Sequence, residues 1–315
     1  MIRYVGRRLL QGAFVLWAAY TVSFLILYLL PGDAVSIMAS GDEQNSVDPA
    51  LVAKLRSEYG LDRPLPEQYA IALFKALQLD FGVSIKNGVA ATQAVSEVLP
   101  ETIKLAAAGF ALSVLLGSAL AIAASFSRNR WVRQLVASLP PLGIAVPTFW
   151  IGLLLLQFFS FRLRLFPALG NDGAQSLVLP ALTLAIPTSA VIAQLLIRSL
   201  HQTLGEPYIE QIRAKGASDA LIHFGHALRN AAIPTLTMLG ILVGNLLAGA
   251  VVSETVFSRT GIGRLTVTAV NSRDIPVVQT LVVLAAAIFV ITSLVVDLIY
   301  PLVDPRINTA ARTTA

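Results

Sequence analysis

The residues best suited to chemistry crowd into one polar stretch. His201, His223 and His226, the chain's three histidines, lie there with Glu210, Asp219 and several cations, between apolar runs of membrane length. His223 and His226 stand three apart, a helical spacing compatible with metal binding, but no third ligand of suitable type is placed to complete a site. They read as solvated or interface residues. No Ser-His-Asp constellation can be assembled around them. Cysteine is absent, which excludes a disulfide framework, a thiolate metal site and a thiol nucleophile, and no GxxxxGK[ST] phosphate loop occurs. The expectation is a chain with no catalytic residue, no metal and no bound cofactor of its own.

What that stretch offers instead is a shape. In EPYIEQIRAKGASDALIHFGHALRNAAIP, Glu206 to Pro234, Pro207 suits a first helical turn. Tyr208 to Lys215 reads as a short helix, and Gly216 permits a turn that a side chain would oppose. Ser218 and Asp219 can cap a second helix, Ala220 to Asn230. Two short helices at an angle form a rigid knob made of Tyr208, Glu210, Arg213, Ala214, Lys215, Gly216, Ala217 and Ser218. Glu210 either pairs with Arg213 at i,i+3 or faces basic groups of a partner.

The elements around the knob belong in a bilayer. Hydrophobic residues are 56% of the 315 and charged residues 13%, with mean hydropathy +0.73, a composition of polytopic membrane proteins. Six apolar segments can be bracketed: Leu9 to Leu30, Thr102 to Ser125, Leu135 to Phe159, Leu177 to Ile197, Pro234 to Val252 and Gln279 to Val303. Each reaches the roughly 20 residues a helix needs to cross, and lipid satisfies no open backbone, so the fold class is all-α. The basic N-terminus reads as an uncleaved first span, since no small-residue cleavage site follows it. The net charge of +5 is scattered at span ends, where topology and lipid headgroups account for it, so no nucleic-acid partner is expected.

Lys and Arg in the short loops orient the chain. With the N-terminus inside, Arg3, Arg7, Arg8, Arg128, Arg130, Arg133, Arg198, Arg213, Lys215, Arg229, Arg306 and Arg312 are cytoplasmic, against Arg162, Arg164, Arg259, Arg264 and Arg273 outside. Both termini are then cytoplasmic. The excursion from Pro31 to Pro100 is external and too long to lack structure of its own. One helix is expected from Asp48 to a Gly60 cap, and another over Pro66 to Leu77.

Within the spans a polar group facing lipid is costly, which makes Gln157, Gln194, Asn245 and Asp297 the pathway candidates. Asp297 lies near the cytoplasmic end of its span, where a structural role is favoured. Asn245 sits among Gly240, Gly244 and Gly249, a small-residue spacing that suits close helix packing, including packing to a second membrane chain. Prolines 140, 141 and 147 interrupt the third span, and Pro180 and Pro187 the fourth. Ser253 to Pro276 reads as an external loop with a re-entrant or surface helix, where Val256 and Phe257 face the bundle or close a gate.

The Glu210 to Gly216 region resembles the EAA loop of bacterial ABC importer permeases, with Gln211 and Ile212 in place of the motif's alanines and Arg229 after Leu228. HALRNAAIP is similar to the form carried by the dipeptide, oligopeptide and nickel branch. RRLL, LPGD, GLDRPLPEQY, DFGVSI, VPTFWIGLLL, RDIPVVQ and VDPRI resemble segments of the same branch, in the same order along nearly the whole chain. The resemblance implies a type I importer permease fold of six transmembrane helices, with an extracytoplasmic insertion between the first two and a cytoplasmic coupling loop, 206–234, between the fourth and fifth. The segments would be 1–30 for the N-terminus and first helix, 31–100 for the insertion, 101–305 for the core and 306–315 for a cytoplasmic tail.

It further implies a multi-pass inner-membrane subunit in contact with lipid, paired with a second homologous permease, two ABC ATPase subunits that bind ATP and Mg, and an extracytoplasmic substrate-binding protein. Dipeptides or oligopeptides are the expected cargo, with nickel chelates, glutathione or other modified peptides as alternatives. Two rivals come from other classes. An ion-coupled secondary transporter needs buried ionisable residues near mid-membrane, for which only Asp297 is available, and a scaffold protein has no use for the knob.

Overall fold

Apolar runs of this length have one way to satisfy their backbone without water, which is to hydrogen-bond within themselves. The computed structural model describes residues 2–29, 63–127 and 129–303. Among these, regular structure is helical apart from an isolated antiparallel bridge between Val83 and Ala90. In chain order the helices are α1 (Ile2–Leu29), α2 (Leu65–Leu77), α3 (Ala91–Phe126), α4 (Arg130–Ala145) and α5 (Thr148–Leu155), which runs on as a wider π-helical turn (Leu156–Arg162). Then come α6 (Gln175–Leu204), α7 (Pro207–Ala214), a second π-helical segment (Leu221–Ala227) leading into α8 (Leu228–Val256), α9 (Ile262–Asn271) and α10 (Ile275–Val303).

Four stretches are long and apolar enough to cross a membrane: Gly6–Ile26, Ala91–Phe126, Gln175–Leu204 and Ile275–Val295. The third expected span departs from expectation. It is broken into α4 and α5, which meet at a bend of 106°. Val146 is extended there, φ −84° and ψ 127°, the conformation that the ring of Pro147 favours in the residue before it. Counted as one span the bent pair makes a fifth, and α8 adds a shorter apolar run, Ile241–Val256. The described residues thus give four or five spans by length and composition where the sequence suggests six. The other prolines do not break their helices: Pro140 and Pro141 lie inside α4, Pro180 and Pro187 inside α6, and Pro100 inside α3, which starts well before the expected Thr102.

Contacts divide the chain into two units, one from Met1–Pro100 and Leu265–Ile291, the other from Glu101–Arg264 and Thr292–Ala315. In the first, Tyr69 of α2 packs edge-on to Phe24 of α1 at 5.4 Å between ring centroids, and its hydroxyl bonds Thr21 at 2.8 Å. The second unit is built on α6, fifteen of whose residues are buried. Leu105, Leu184, Leu246 and Ala250 form one core cluster of α3, α6 and α8. The α3 to α6 approach is tight, since a Cβ on Gly117 would lie 2.8 Å from Ile192 and from the Ser189 carbonyl. The expected Asp48 to Gly60 helix and the 306–315 tail lie outside the described residues.

Candidate functional site

The knob forms as its residue types dictate. Glu206 is extended at the N-cap, Pro207 opens α7, and Lys215 ends it. Gly216 has φ +87°, a left-handed conformation that a Cβ opposes. Its N–H donates to the Arg213 carbonyl at 3.0 Å and that of Ala217 to the Ile212 carbonyl at 3.3 Å, the paired bonds of a Schellman ending. Ser218 then caps the next helix, its hydroxyl accepting from Leu221 N–H at 3.3 Å.

Glu210, Arg213, Ala214, Lys215 and Gly216 are all exposed, Ala217 and Tyr208 half-buried. Glu210 makes no ion pair with Arg213 among the described residues, leaving both groups on the surface. The knob's underside is fixed. Ile209 is buried, Tyr208 OH accepts from Asn230 at 2.9 Å, and Ala227 and Ala231 pack with Ala121, Leu196 and Leu200. His223 lies edge-on to Phe126 at 5.0 Å, and its Nδ1 is 2.9 Å from the Asp219 carbonyl. No group of three metal-ligating side chains occurs among the described residues.

In the second unit, α5, α6 and α8 border an open pocket of about 160 Å³ beside the Pro187 turn. Thr148 of α5, Pro187 and Thr188 of α6, and Asn245 and Gly249 of α8 line it, with leucine and valine completing the wall. Asn245 is the one pathway candidate that reaches it among the described side chains. Gln157 is exposed on the π-helical turn, Val256 is half-buried, and Phe257 is 2% exposed, packed with Leu156 and Leu179. The side chain of Asp297 lies outside the described set. Gly244 meets open space, whereas a Cβ on Gly249 would touch Leu184 at 3.0 Å.

Three buried charged residues went unnoticed as sites in the sequence. Glu254, 1% exposed, accepts from Thr102 Oγ1 at 2.6 Å and from the N–H groups of Gly263 at 2.7 Å and Arg264 at 3.2 Å. Thr102 in turn accepts from Ile262 N–H at 2.8 Å. A carboxylate thus satisfies the free donors at the start of α9 and complements its dipole. Arg259, 2% exposed, donates to the Ser176 carbonyl at 3.0 Å, to Gly170 O at 3.1 Å and to Glu101 at 3.3 Å. Ser176 is four residues before Pro180, so its carbonyl is one the missing proline N–H leaves open, and the guanidinium fills the gap. Burial pulls the Arg259 guanidinium below its ordinary value, with Glu101 and then Glu254 opposing that. In the first unit, Asp274 accepts from the Ser84 hydroxyl, from Ile85 N–H at 3.2 Å and from Lys86 N–H at 3.4 Å, joining two of the segments, DFGVSI and RDIPVVQ, singled out in the sequence. The available signal was an acid at the end of an apolar run, beside glycines or ahead of a helix start.

Comparison with known proteins places this geometry. Residues 113–309 match the family model described as "Binding-protein-dependent transport system inner membrane component", and residues 1–106 the companion N-terminal model. The chain is 37% identical over 313 residues to the probable peptide ABC transporter permease protein y4tP of Sinorhizobium fredii, covering 97% of this chain and 99% of that one. It is 38% identical over 308 residues to the glutathione transport system permease protein GsiC of Salmonella typhimurium, covering 98% and 99%. In fold it is similar to the inward-facing MetNI methionine ABC transporter, with TM-score 0.56 over 66% of this chain and 95% of that chain at 16% identity.

Proposed function

We propose a function from one premise: the chain belongs to the binding-protein-dependent transport system inner membrane component family. It is a multi-pass inner-membrane permease subunit of an ATP-driven ABC importer, forming half of a translocation path for dipeptides or oligopeptides handed over by an extracytoplasmic substrate-binding protein. A second homologous permease completes the path. Two ABC ATPase subunits bind ATP and Mg, and this chain has no catalytic role of its own.

The knob carries the reading. An exposed, polar, Schellman-terminated helix, rigidly seated on the α3, α6 and α8 core, is the shape a partner cleft needs in order to move the bundle. ATP binding would close the ATPase pair, the surface from Glu210 to Gly216 would follow, and the bundle would open to receive cargo. Both termini and the knob are then cytoplasmic. The GsiC relatives favour a second cargo, glutathione, carried by the same machine, and nickel chelates stand behind it.

The test is a pull-down of the tagged chain from detergent-solubilised native membranes, with every co-purifying protein identified and vanadate-sensitive ATP hydrolysis measured. A second permease with ATPases is the expected recovery. The chain alone, stable and transporting, would sink the importer and return attention to ion coupling.

A further inference from the structure

Asn245 poses a problem that its surroundings resolve. It lies near the middle of α8 (Leu228–Val256), where an amide facing lipid is costly, yet its side chain makes no hydrogen bond among the described residues. It is exposed on the open pocket of about 160 Å³ instead. Thr188, also on the wall, has its hydroxyl committed to the Leu184 carbonyl at 2.9 Å, which leaves Thr148 and Asn245 as the polar groups free to meet a guest. The rest of the wall is aliphatic.

We infer that this pocket is a peptide subsite, in which one aliphatic side chain of the cargo fills the space while the Asn245 amide engages the adjoining peptide bond. Volume and chemistry agree. An aliphatic cavity of roughly 150 Å³ holds a benzene-sized guest, which matches a leucine or valine side chain. A primary amide offers both a donor and an acceptor, the complement of a peptide N–H and C=O. No charged side chain lines the pocket, so nothing there pairs with the carboxylates of an anionic chelate, whereas an aliphatic side chain needs no counter-ion. The inference rests on the importer reading and narrows its cargo to short, uncharged-side-chain peptides.

The experiment uses the whole complex, recovered with its partners and reconstituted in proteoliposomes, with the binding protein loaded to saturation so that its own selectivity drops out. Maximal ATP-driven uptake of dialanine and dileucine is compared in wild type, Asn245→Leu and Gly249→Leu. A Cβ added at 249 meets the flexible end of Leu184 at 3.0 Å, which must give way by a few tenths of an ångström. Gly249→Leu fills the pocket and lowers dileucine uptake about tenfold while dialanine uptake stays near wild type. Asn245→Leu lowers both about fivefold. Equal loss of both peptides in Gly249→Leu, or full uptake in Asn245→Leu, overturns the subsite and leaves the importer standing. A wild-type complex that takes up neither peptide overturns the peptide reading itself.

Discussion

Glu254 shows what a single carboxylate does when several donors converge on it. Truncation in Glu254→Ala would leave the N–H groups of Gly263 and Arg264 and the Thr102 hydroxyl unsatisfied in a water-poor site, and each such group costs about 1–3 kcal/mol. The detergent-solubilised variant should melt several degrees below wild type, whereas Glu254→Gln, which keeps an acceptor, should lose less than half as much. Equal melting of all three would remove the network from the fold's stability. Gly216 makes a separate prediction. An alanine at φ +87° costs roughly 1–2 kcal/mol, enough to loosen α7 and depress cargo-stimulated ATP hydrolysis by the reconstituted complex several-fold. Gly216→Asn, which tolerates left-handed backbone, should recover most of it. The two residues also differ in how far the sequence reveals them. Gly216 is legible because its cause is local, a glycine directly after a short helix. Glu254, Arg259 and Asp274 are not, because Thr102, Glu101 and Ser84 among their partners lie 152, 158 and 190 positions away, and no local pattern encodes those pairings.

The helices tell the same story at the scale of elements, and the prolines of α3 to α6 separate the cases. Helical structure over the apolar runs is readable from their length alone, the number of crossings is not, and α2 follows from a proline start and a periodic face. Whether a proline breaks a helix was not readable, because that depends on who receives the carbonyl it frees. At Pro180 the answer is Arg259, and α6 runs through unbroken. At Pro147 the preceding Val146 adopts extended backbone and the chain turns by 106°. Restoring the N–H in Pro147→Ala should therefore straighten the α4 to α5 junction. The chain has no cysteine, so Leu135→Cys and Leu153→Cys, both exposed positions, can carry a spin-label pair without further changes. A continuous helix would hold their backbones about 27 Å apart, and the bend brings them markedly closer. The measured separation should lengthen toward that value in Pro147→Ala. An unchanged distance would assign the bend to tertiary packing of α4 and α5 on α6, with proline merely tolerated there.

The same break decides the topology of the whole molecule, and here charge and geometry make a joint prediction. Between Lys86 and Gln211 the chain contains α3, the bent pair α4 and α5, and α6. If the bent pair crosses, three crossings separate the two residues and they face opposite sides of the membrane. If the pair turns back as a re-entrant loop, two crossings separate them and they share a side. The distribution of Lys and Arg favours the first, since it needs Arg128, Arg130 and Arg133 on the face of Arg213 and Lys215, with Arg162 and Arg164 opposite. Lys86→Cys and Gln211→Cys are both exposed and replace surface side chains, so the fold should tolerate them. With a membrane-impermeant thiol reagent, Lys86→Cys should react in right-side-out vesicles and Gln211→Cys in inside-out vesicles. Reaction of both in one vesicle type would make the pair re-entrant. It would also put Gln211 on the same side as Lys86, against the importer reading, which needs the knob on the cytoplasmic side and the 31–100 excursion outside. The importer reading therefore stands or falls with the crossing of the bent pair, because only an odd number of crossings places the coupling surface and the cargo-receiving surface on opposite sides of the bilayer.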